Sequence, residues 1–176
     1  TVKKSILLDS KADLVVYGMG ERPIVEIARR LALGETVKDL RKMRAVAFAL
    51  GATESADTSN LPDPVGQGVK ILPSFEDVAR DKMAFAEATR TIHLNTNPYN
   101  AKTLVQYHGN RAVVVNPPDL PLEKAEMDNV YGLPYTRKPH PKYKEKIPAF
   151  EMIKDSVTIM RGCFGGCTFC SITTHQ

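Results

Sequence analysis

The sequence predicts an α/β fold for residues 1–133, from two buried-strand patterns and the glycine-bounded helix between them. Apolar runs with strand propensity occupy 14–17 and 45–50. After the first run, two glycines turn the chain into a segment with helical periodicity, for which Gly34 is a natural stop. Strand, glycine turn and helix together make one half of a βαβ unit.

The first predicted helix has a favourable start and one apolar face. Pro23 lies in its first turn, where the missing N–H of proline costs nothing. The apolar residues that recur at helical spacing are Ile24, Ile27, Ala28 and Leu31. This spacing predicts a single buried side for the helix.

A longer helix is predicted over residues 74–93. Ser74 and Asp77 have the spacing of a capping box, with Asp in place of the usual Glu. Its expected buried side chains are Phe75, Val78, Met83, Phe85, Ala86 and Ile92. The elements expected before it are a polar helix over 37–43, a loop over 52–68 and a strand over 69–72.

The remaining patterns predict a β-hairpin, a helix, a connector and a last strand. Strand signals at 103–107 and 111–115 flank His108-Gly109-Asn110, which is a hairpin signature. The later elements expected are a helix over 122–130, a proline- and lysine-rich connector over 134–148 and a strand over 156–160. We therefore divide the chain into a domain over 1–133, a connector over 134–150 and a final segment over 151–176.

Composition and charge argue against several classes of protein. No apolar run approaches the ~20 residues that cross a bilayer, and no secretory signal opens the chain. The net charge is +4, and the densest basic stretch holds Arg137, Lys138, Lys142, Lys144 and Lys146. Prolines interrupt that stretch, which favours a solvated surface loop over a nucleic-acid-binding surface. We expect neither a membrane nor a nucleic-acid partner.

The three cysteines, Cys163, Cys167 and Cys170, all lie within eight residues. An odd, tight cluster suits metal or cluster ligation in a reducing compartment better than a disulfide framework, so we expect a cytoplasmic protein. Gly165 and Gly166 carry no Cβ, so the backbone between the cysteines can bend sharply and approach an inorganic group closely. Three thiolates also leave one iron of a 4Fe–4S cluster open.

This C-x3-C-x2-C loop resembles that of the radical S-adenosylmethionine (SAM) superfamily, with Phe169 at the motif's aromatic position. The resemblance implies that Cys163, Cys167 and Cys170 bind a 4Fe–4S cluster whose open iron chelates the amino and carboxylate groups of SAM. One electron then cleaves SAM to methionine and a 5′-deoxyadenosyl radical, which abstracts a substrate hydrogen. It also implies that Phe169 packs near the adenine and that a donor such as a flavodoxin or ferredoxin supplies the electron.

A closer resemblance, to the YgiQ family of radical SAM proteins, extends over roughly residues 13 to 176. It implies a cofactor and a reaction type, and no substrate. The matching segments are 18–22, 116–118, 137–141, 148–151 and 161–170, with Ile172 and His175-Gln176.

Proteins of the YgiQ family are longer than this chain, so the resemblance predicts an internal segment of such an enzyme. The implied fold is a Rossmann-like N-terminal domain, followed by the first strand and cluster loop of a truncated radical SAM barrel. Because later barrel strands would bind SAM and substrate, we expect these 176 residues alone to be inactive.

Two other interpretations of the cysteines stay open. One is a zinc-stabilised, non-enzymatic binding module in which His175 is the fourth ligand, since thiolate and imidazole suit tetrahedral zinc. The other is an α/β interaction domain in which the cysteines have no role. For Gly18-Met19-Gly20-Glu21 we favour a structural turn over an anion- or cobalamin-binding loop, because Glu21 would repel a phosphate.

Overall fold

The computed structural model describes residues 2–57, 61–159, 161, 163, 165, 167 and 169–170. The chain divides into two compact units, Thr1–Leu122 and Glu123–Gln176. The strands of the first unit are β1 (Val15–Val16), β2 (Val46–Leu50), β3 (Val69–Ile71), β4 (Thr103–His108) and β5 (Arg111–Val115). Its helices are α1 (Ile6–Ser10), α2 (Glu21–Ala32), α3 (Val37–Leu40), α4 (Ala52–Ser55), α5 (Phe75–Arg80) and α6 (Lys82–His93). The second unit contains α7 (Lys124–Tyr131) and α8 (Pro148–Ile153).

The strands form one five-stranded sheet in the order β1-β2-β5-β4-β3. The combination of one sheet with helices confirms the predicted α/β class in its general form. The β3–β4 pair is parallel, whereas β1–β2, β2–β5 and β4–β5 are antiparallel. The sheet is therefore a mixed one.

The expected βαβ unit is not found at the first helix. Val16, the last residue of β1, lies opposite Val46, the first residue of β2. The two strands are therefore antiparallel, and β2 starts at the end of the sheet where β1 stops. Between the two strands the chain forms α2 and α3, and β2 then begins at the same end of the sheet. Because strand direction depends on such connections, the hydrophobic pattern that predicted both strands left their relative direction open.

The hydrophobic core covers both faces of the three central strands. Side chains alternate between the two faces of a strand, so neighbouring residues of β2 and β5 enter different clusters. One face buries Val46, Phe48, Leu50, Val105, Ala112 and Val114. The opposite face buries Leu7 of α1 together with Ala47 and Val113.

The hairpin predicted at residues 103–115 is confirmed. β4 and β5 pair antiparallel from Leu104 opposite Val115 to His108 opposite Arg111. Gly109 turns the chain with a φ of 61°, in the left-handed region that glycine enters without steric cost.

The helix predicted over 74–93 is divided in two at Asp81. The capping interaction at its start is confirmed, since Ser74 Oγ accepts a hydrogen bond of 3.1 Å from the backbone N–H of Asp77. Asp81 has extended backbone angles, and its carboxylate accepts a hydrogen bond of 2.9 Å from the N–H of Met83. Because an aspartate that caps a new helix start competes with continuing the old one, the single-helix prediction was wrong at this residue.

The helices bury less apolar surface than their periodicity predicts. In α2, Pro23 and Ile27 are buried, whereas Ile24 and Leu31 are exposed. The break at Asp81 gives α6 a new start, and its expected core residue Met83 is 75% exposed. Periodicity predicted α2 correctly, missed the break between α5 and α6 and the short helix α4 within the predicted loop over 52–68, and overestimated the width of the face that α2 and α6 bury.

The strand predicted over 156–160 is not formed in residues 156–159, and Met160 lies outside the described residues. Val157 and Ile159 are 80% and 94% exposed. A strand needs a neighbour to pair its backbone groups. In the described part of the chain the sheet consists of β1–β5, and these residues pair with none of them.

His108, the last residue of β4, is a buried titratable group. Its ring stacks on that of Phe75 at a centroid distance of 5.1 Å, and neither ring nitrogen has a hydrogen-bond partner among the described residues. Burial lowers the pKa of His108, Lys4 lowers it further, and Glu76 and Asp9 oppose the shift. The folded protein therefore holds this imidazole neutral at a pH where the unfolded chain already takes up the proton.

We expect the free energy of unfolding to fall with pH below the ordinary histidine value of 6.5, because the unfolded chain then binds the proton more readily. Replacing His108 by Phe removes the titrating group and keeps a ring on Phe75, so this pH dependence should shrink. Urea unfolding at about pH 7.5 and about pH 5.5 measures the difference. The exposed His93 in α6 provides a control as His93→Gln. Equal pH dependence in both variants would contradict the assignment.

Candidate metal centre

The described cysteines of the second unit are accessible to ligands. Cys163 and Cys167 are exposed, and Cys170 is half-buried. Within the described residues none of the three forms a disulfide. They follow α8 along a stretch, 154–170, in which the described residues form neither helix nor strand.

Gly165 lies close to two of the cysteine sulfurs. Its N–H points at Cys163 Sγ, 3.4 Å away, and its carbonyl oxygen is 3.9 Å from Cys167 Sγ. A Cβ added at Gly165 would lie 3.3 Å from Cys163 Sγ and 3.7 Å from Cys167 Sγ. Both sulfurs thus lie close to the same point beside the glycine, where a Cβ would contact Cys163 Sγ tightly and Cys167 Sγ at an ordinary distance.

A backbone turn connects the second and third cysteines. The N–H of Cys170 donates to the carbonyl of Cys167 at 3.1 Å. Among the described residues, however, no three Cys, His, Asp or Glu side chains are arranged to hold a metal ion. The structure therefore brings Cys163 and Cys167 together around Gly165 without assembling a three-ligand site.

The chain before the first cysteine contacts α7. The guanidinium carbon of Arg161 lies 5.5 Å from the centroid of the Tyr131 ring. Arg161 Nε also donates a hydrogen bond of 3.4 Å to the Tyr131 hydroxyl. Sequence reasoning missed this contact, which joins two residues 30 positions apart.

Of the other motif residues, Phe169, Ile172, His175 and Gln176, the structure describes Phe169. Phe169, the aromatic residue of the motif, is 91% exposed. Ile172, His175 and Gln176 lie outside the described residues.

The Gly18–Arg22 turn is fastened to the segment after β5. Gly18 has a φ of 72°, and α2 begins at Glu21. Arg22 donates hydrogen bonds of 3.1 and 3.3 Å to the carbonyls of Leu120 and Pro121, and its guanidinium lies 3.3 Å from the Asp119 carboxylate. These contacts agree with the structural interpretation of the turn.

Asn116 joins three segments of the first unit. Its side chain is 1% exposed, and Nδ2 donates hydrogen bonds of 2.8 and 2.7 Å to the carbonyls of Arg41 and Met43. Its own carbonyl accepts a hydrogen bond from the hydroxyl of Tyr17, whose pKa is raised by burial against the opposing effect of Arg44. Asn116 therefore has a structural role that its place in the sequence pattern did not specify.

A cavity of about 390 Å³ in the first unit is an alternative to the cysteine loop as a binding site. Three of its charged groups bind each other: Glu54 pairs with Arg41 at 3.1 Å and with Lys38 at 3.7 Å. The Gly51 N–H, followed by Arg41, holds the pKa of Glu54 below its usual range, so the carboxylate stays charged and paired. Because the Glu54 carboxylate is already paired with two cations, the thiols are the stronger candidate for chemistry.

Comparison with known proteins identifies the family. The sequence profile of the Radical SAM N-terminal family matches residues 1–156. The chain belongs to this family. The match covers the sheet, the turns at Gly18 and Gly109, and α8, and it ends before the first cysteine.

Proteins from several bacteria match almost the whole chain. A UPF0313 protein of Rhodopseudomonas palustris is 50% identical over 99% of the chain, which is 28% of that protein. A UPF0313 protein of Geobacter sulfurreducens is 50% identical over 99% of the chain, which is 27% of that protein. The UPF0313 protein YgiQ of Escherichia coli K12 is 42% identical over 100% of the chain, or 30% of that protein.

The chain therefore spans somewhat less than a third of the length of these relatives. The predicted resemblance to the YgiQ family is confirmed. No solved structure matches the chain significantly. No helix in the described ranges is long and apolar enough to cross a membrane.

Proposed function

We propose that Cys163, Cys167 and Cys170 are the three protein ligands of a 4Fe–4S cluster in a radical SAM enzyme. The observation that carries this proposal is that the Cys163 and Cys167 sulfurs lie close to one point beside Gly165. Membership of a radical SAM family supports it independently. Exposed thiols outside disulfides are also the donors that an iron–sulfur cluster requires.

Each described residue of the loop has a distinct part in this proposal. The three thiolates bind iron, and the glycine leaves room for the cluster where a Cβ would meet both sulfurs. The Gly165 N–H, which already points at Cys163 Sγ, would donate to that sulfur and adjust the reduction potential. Phe169 would cover the adenine of SAM, consistent with its exposed side chain.

The bound cluster would supply one electron to cleave SAM into methionine and a 5′-deoxyadenosyl radical. The chain's own residues hold the cluster and leave one iron open for SAM, because three cysteines provide three of four ligands. A flavodoxin or ferredoxin is the proposed source of the electron. The cytoplasm is the proposed compartment, since thiolates persist in reducing surroundings.

Residues 151–176 are proposed to form the first strand and cluster loop of the catalytic barrel in a longer protein. The exposure of Val157 and Ile159 supports this, since both are β-branched residues suited to a buried strand. The chain covers less than a third of its relatives, so later strands are proposed to pair with this segment. The 176-residue chain alone is then expected to produce no 5′-deoxyadenosine.

Anaerobic reconstitution of the cluster tests the proposal, in the protein encoded by the longest reading frame that contains this chain. We expect about four iron and four sulfide ions per chain, with the broad visible absorption of a 4Fe–4S cluster. One zinc ion per chain and no sulfide would replace the cluster by the tetrahedral zinc site. Neither metal would leave an α/β domain without a cofactor in this loop.

A further inference from the structure

Tyr131, the last residue of α7, contacts the chain immediately before the cysteine loop. Its ring lies under the guanidinium of Arg161 at 5.5 Å, and its hydroxyl accepts the Arg161 Nε–H at 3.4 Å. Arg161 stands two residues before Cys163. A regular helix therefore holds the chain at the point where it enters the loop.

We propose that Tyr131 is a positioning residue, which acts through Arg161 to hold the Cys163 thiol for cluster ligation. This inference rests on the proposed function. α7 is a suitable anchor because it has a defined end: the Gly132 N–H donates to the Asp128 carbonyl at 2.8 Å. The described residues between 154 and 170 form neither helix nor strand, so their placement depends on contacts with such elements.

The chemistry of the pair suits this role. A planar guanidinium can stack on an aromatic face while one of its N–H groups donates a hydrogen bond, which a lysine ammonium cannot reproduce. Two contacts of different kinds fix both the distance and the orientation of Arg161. The contact reaches Gly165 in two further steps, from Arg161 along the chain to Cys163, whose sulfur faces the Gly165 N–H at 3.4 Å.

The expected size of the effect follows from the ordering cost of ligation. A loop that is already held at its entry loses less conformational freedom when the cluster binds. A partly exposed cation–π contact accounts for about a two- to fivefold difference in an equilibrium. We therefore expect a cluster held without the Tyr131 ring to be lost about two to five times faster to a chelator.

The test measures cluster loss to a chelator in the reconstituted protein encoded by the longest reading frame, without SAM or turnover. The variants are Tyr131→Leu, which removes the ring, Tyr131→Phe, which keeps it, and Arg161→Lys, which keeps the charge without the planar group. Tyr143→Leu is the matched control, since Tyr143 belongs to the same unit and is 63% exposed.

We expect Tyr131→Leu and Arg161→Lys to lose iron fastest. Tyr131→Phe, which loses only the hydrogen bond to Arg161, should lie between them and the unsubstituted protein, and Tyr143→Leu should match the unsubstituted protein. The thermal midpoint of the cluster-free proteins should be the same throughout, which separates positioning from general stability. Equal loss rates in all proteins would overturn the positioning role while the cluster remains. A lowered midpoint that accounts for the faster loss would also overturn it. Failure of the unsubstituted protein to take up iron and sulfide would instead overturn the proposed function.

Discussion

Replacing any one of Cys163, Cys167 and Cys170 by Ser should remove nearly all cluster-bound iron from the reconstituted protein. A serine hydroxyl stays protonated where a thiol ionises, so it is a poor ligand for iron in a sulfide cluster. Each ligand is required, because the remaining two leave two iron atoms without a protein donor. We expect at least a tenfold loss of iron and sulfide, roughly as large as the effects of removing supporting groups at metal sites.

The matched control is Thr158→Ser, which changes a side chain in the same unit by one methyl group outside the motif. Iron and sulfide should be unchanged in this variant. The three cysteine variants should also unfold at the temperature of the cluster-free protein, since no disulfide is lost among the described cysteines. Full cluster content in any single Cys→Ser variant would remove that cysteine from the ligand set.

Replacing Asn116 by Leu should destabilise the first unit by about 2–4 kcal/mol. Leucine has a similar size and cannot donate, so the partly buried carbonyls of Arg41 and Met43 lose the hydrogen bonds they accept at 2.8 and 2.7 Å. Within the described residues Asn116 Oδ1 accepts no hydrogen bond, so the amide N–H groups carry the effect. Urea unfolding followed by far-UV circular dichroism measures the change.

Asn116→Asp separates the donor from the shape of the side chain. A carboxylate keeps the shape, turns acceptor atoms toward both carbonyls and introduces a buried charge, so it should destabilise at least as much as leucine. Asn100, which is exposed in the same unit, gives the control as Asn100→Leu, with an expected change within about 0.5 kcal/mol. A neutral Asn116→Leu variant would show that the two hydrogen bonds do not contribute to stability.

Local chemistry accounts for the parts of the fold that the sequence predicted well. The hairpin depends on neighbouring residues, with Gly109 free to adopt a positive φ between two β-branched runs. The cap at Ser74 is equally local, since donor and acceptor are three residues apart. Asp81 offered the same kind of signal within a helical pattern, and it marks the break that periodicity alone did not predict.

Features that depend on distant residues were not predicted. The direction of β2 relative to β1 depends on the connection through α2 and α3, which brings the chain back to the same end of the sheet. The amide of Asn116 binds carbonyls 73 and 75 residues away, and a sequence pattern contains no information about such partners. The proposed cysteine ligands could be named from the sequence because their spacing is a local property, whereas the Arg161–Tyr131 contact depends on residues far apart in the chain.

An iron left open in a cluster held by three cysteines should bind SAM, and EPR spectroscopy detects that binding directly. The EPR spectrum of the reduced, reconstituted protein encoded by the longest reading frame is recorded with and without SAM. We expect a 4Fe–4S signal whose g-values shift when SAM is added, because SAM binds the iron that the protein leaves free. A 4Fe–4S signal that SAM leaves unchanged, or the absence of any such signal, would contradict it.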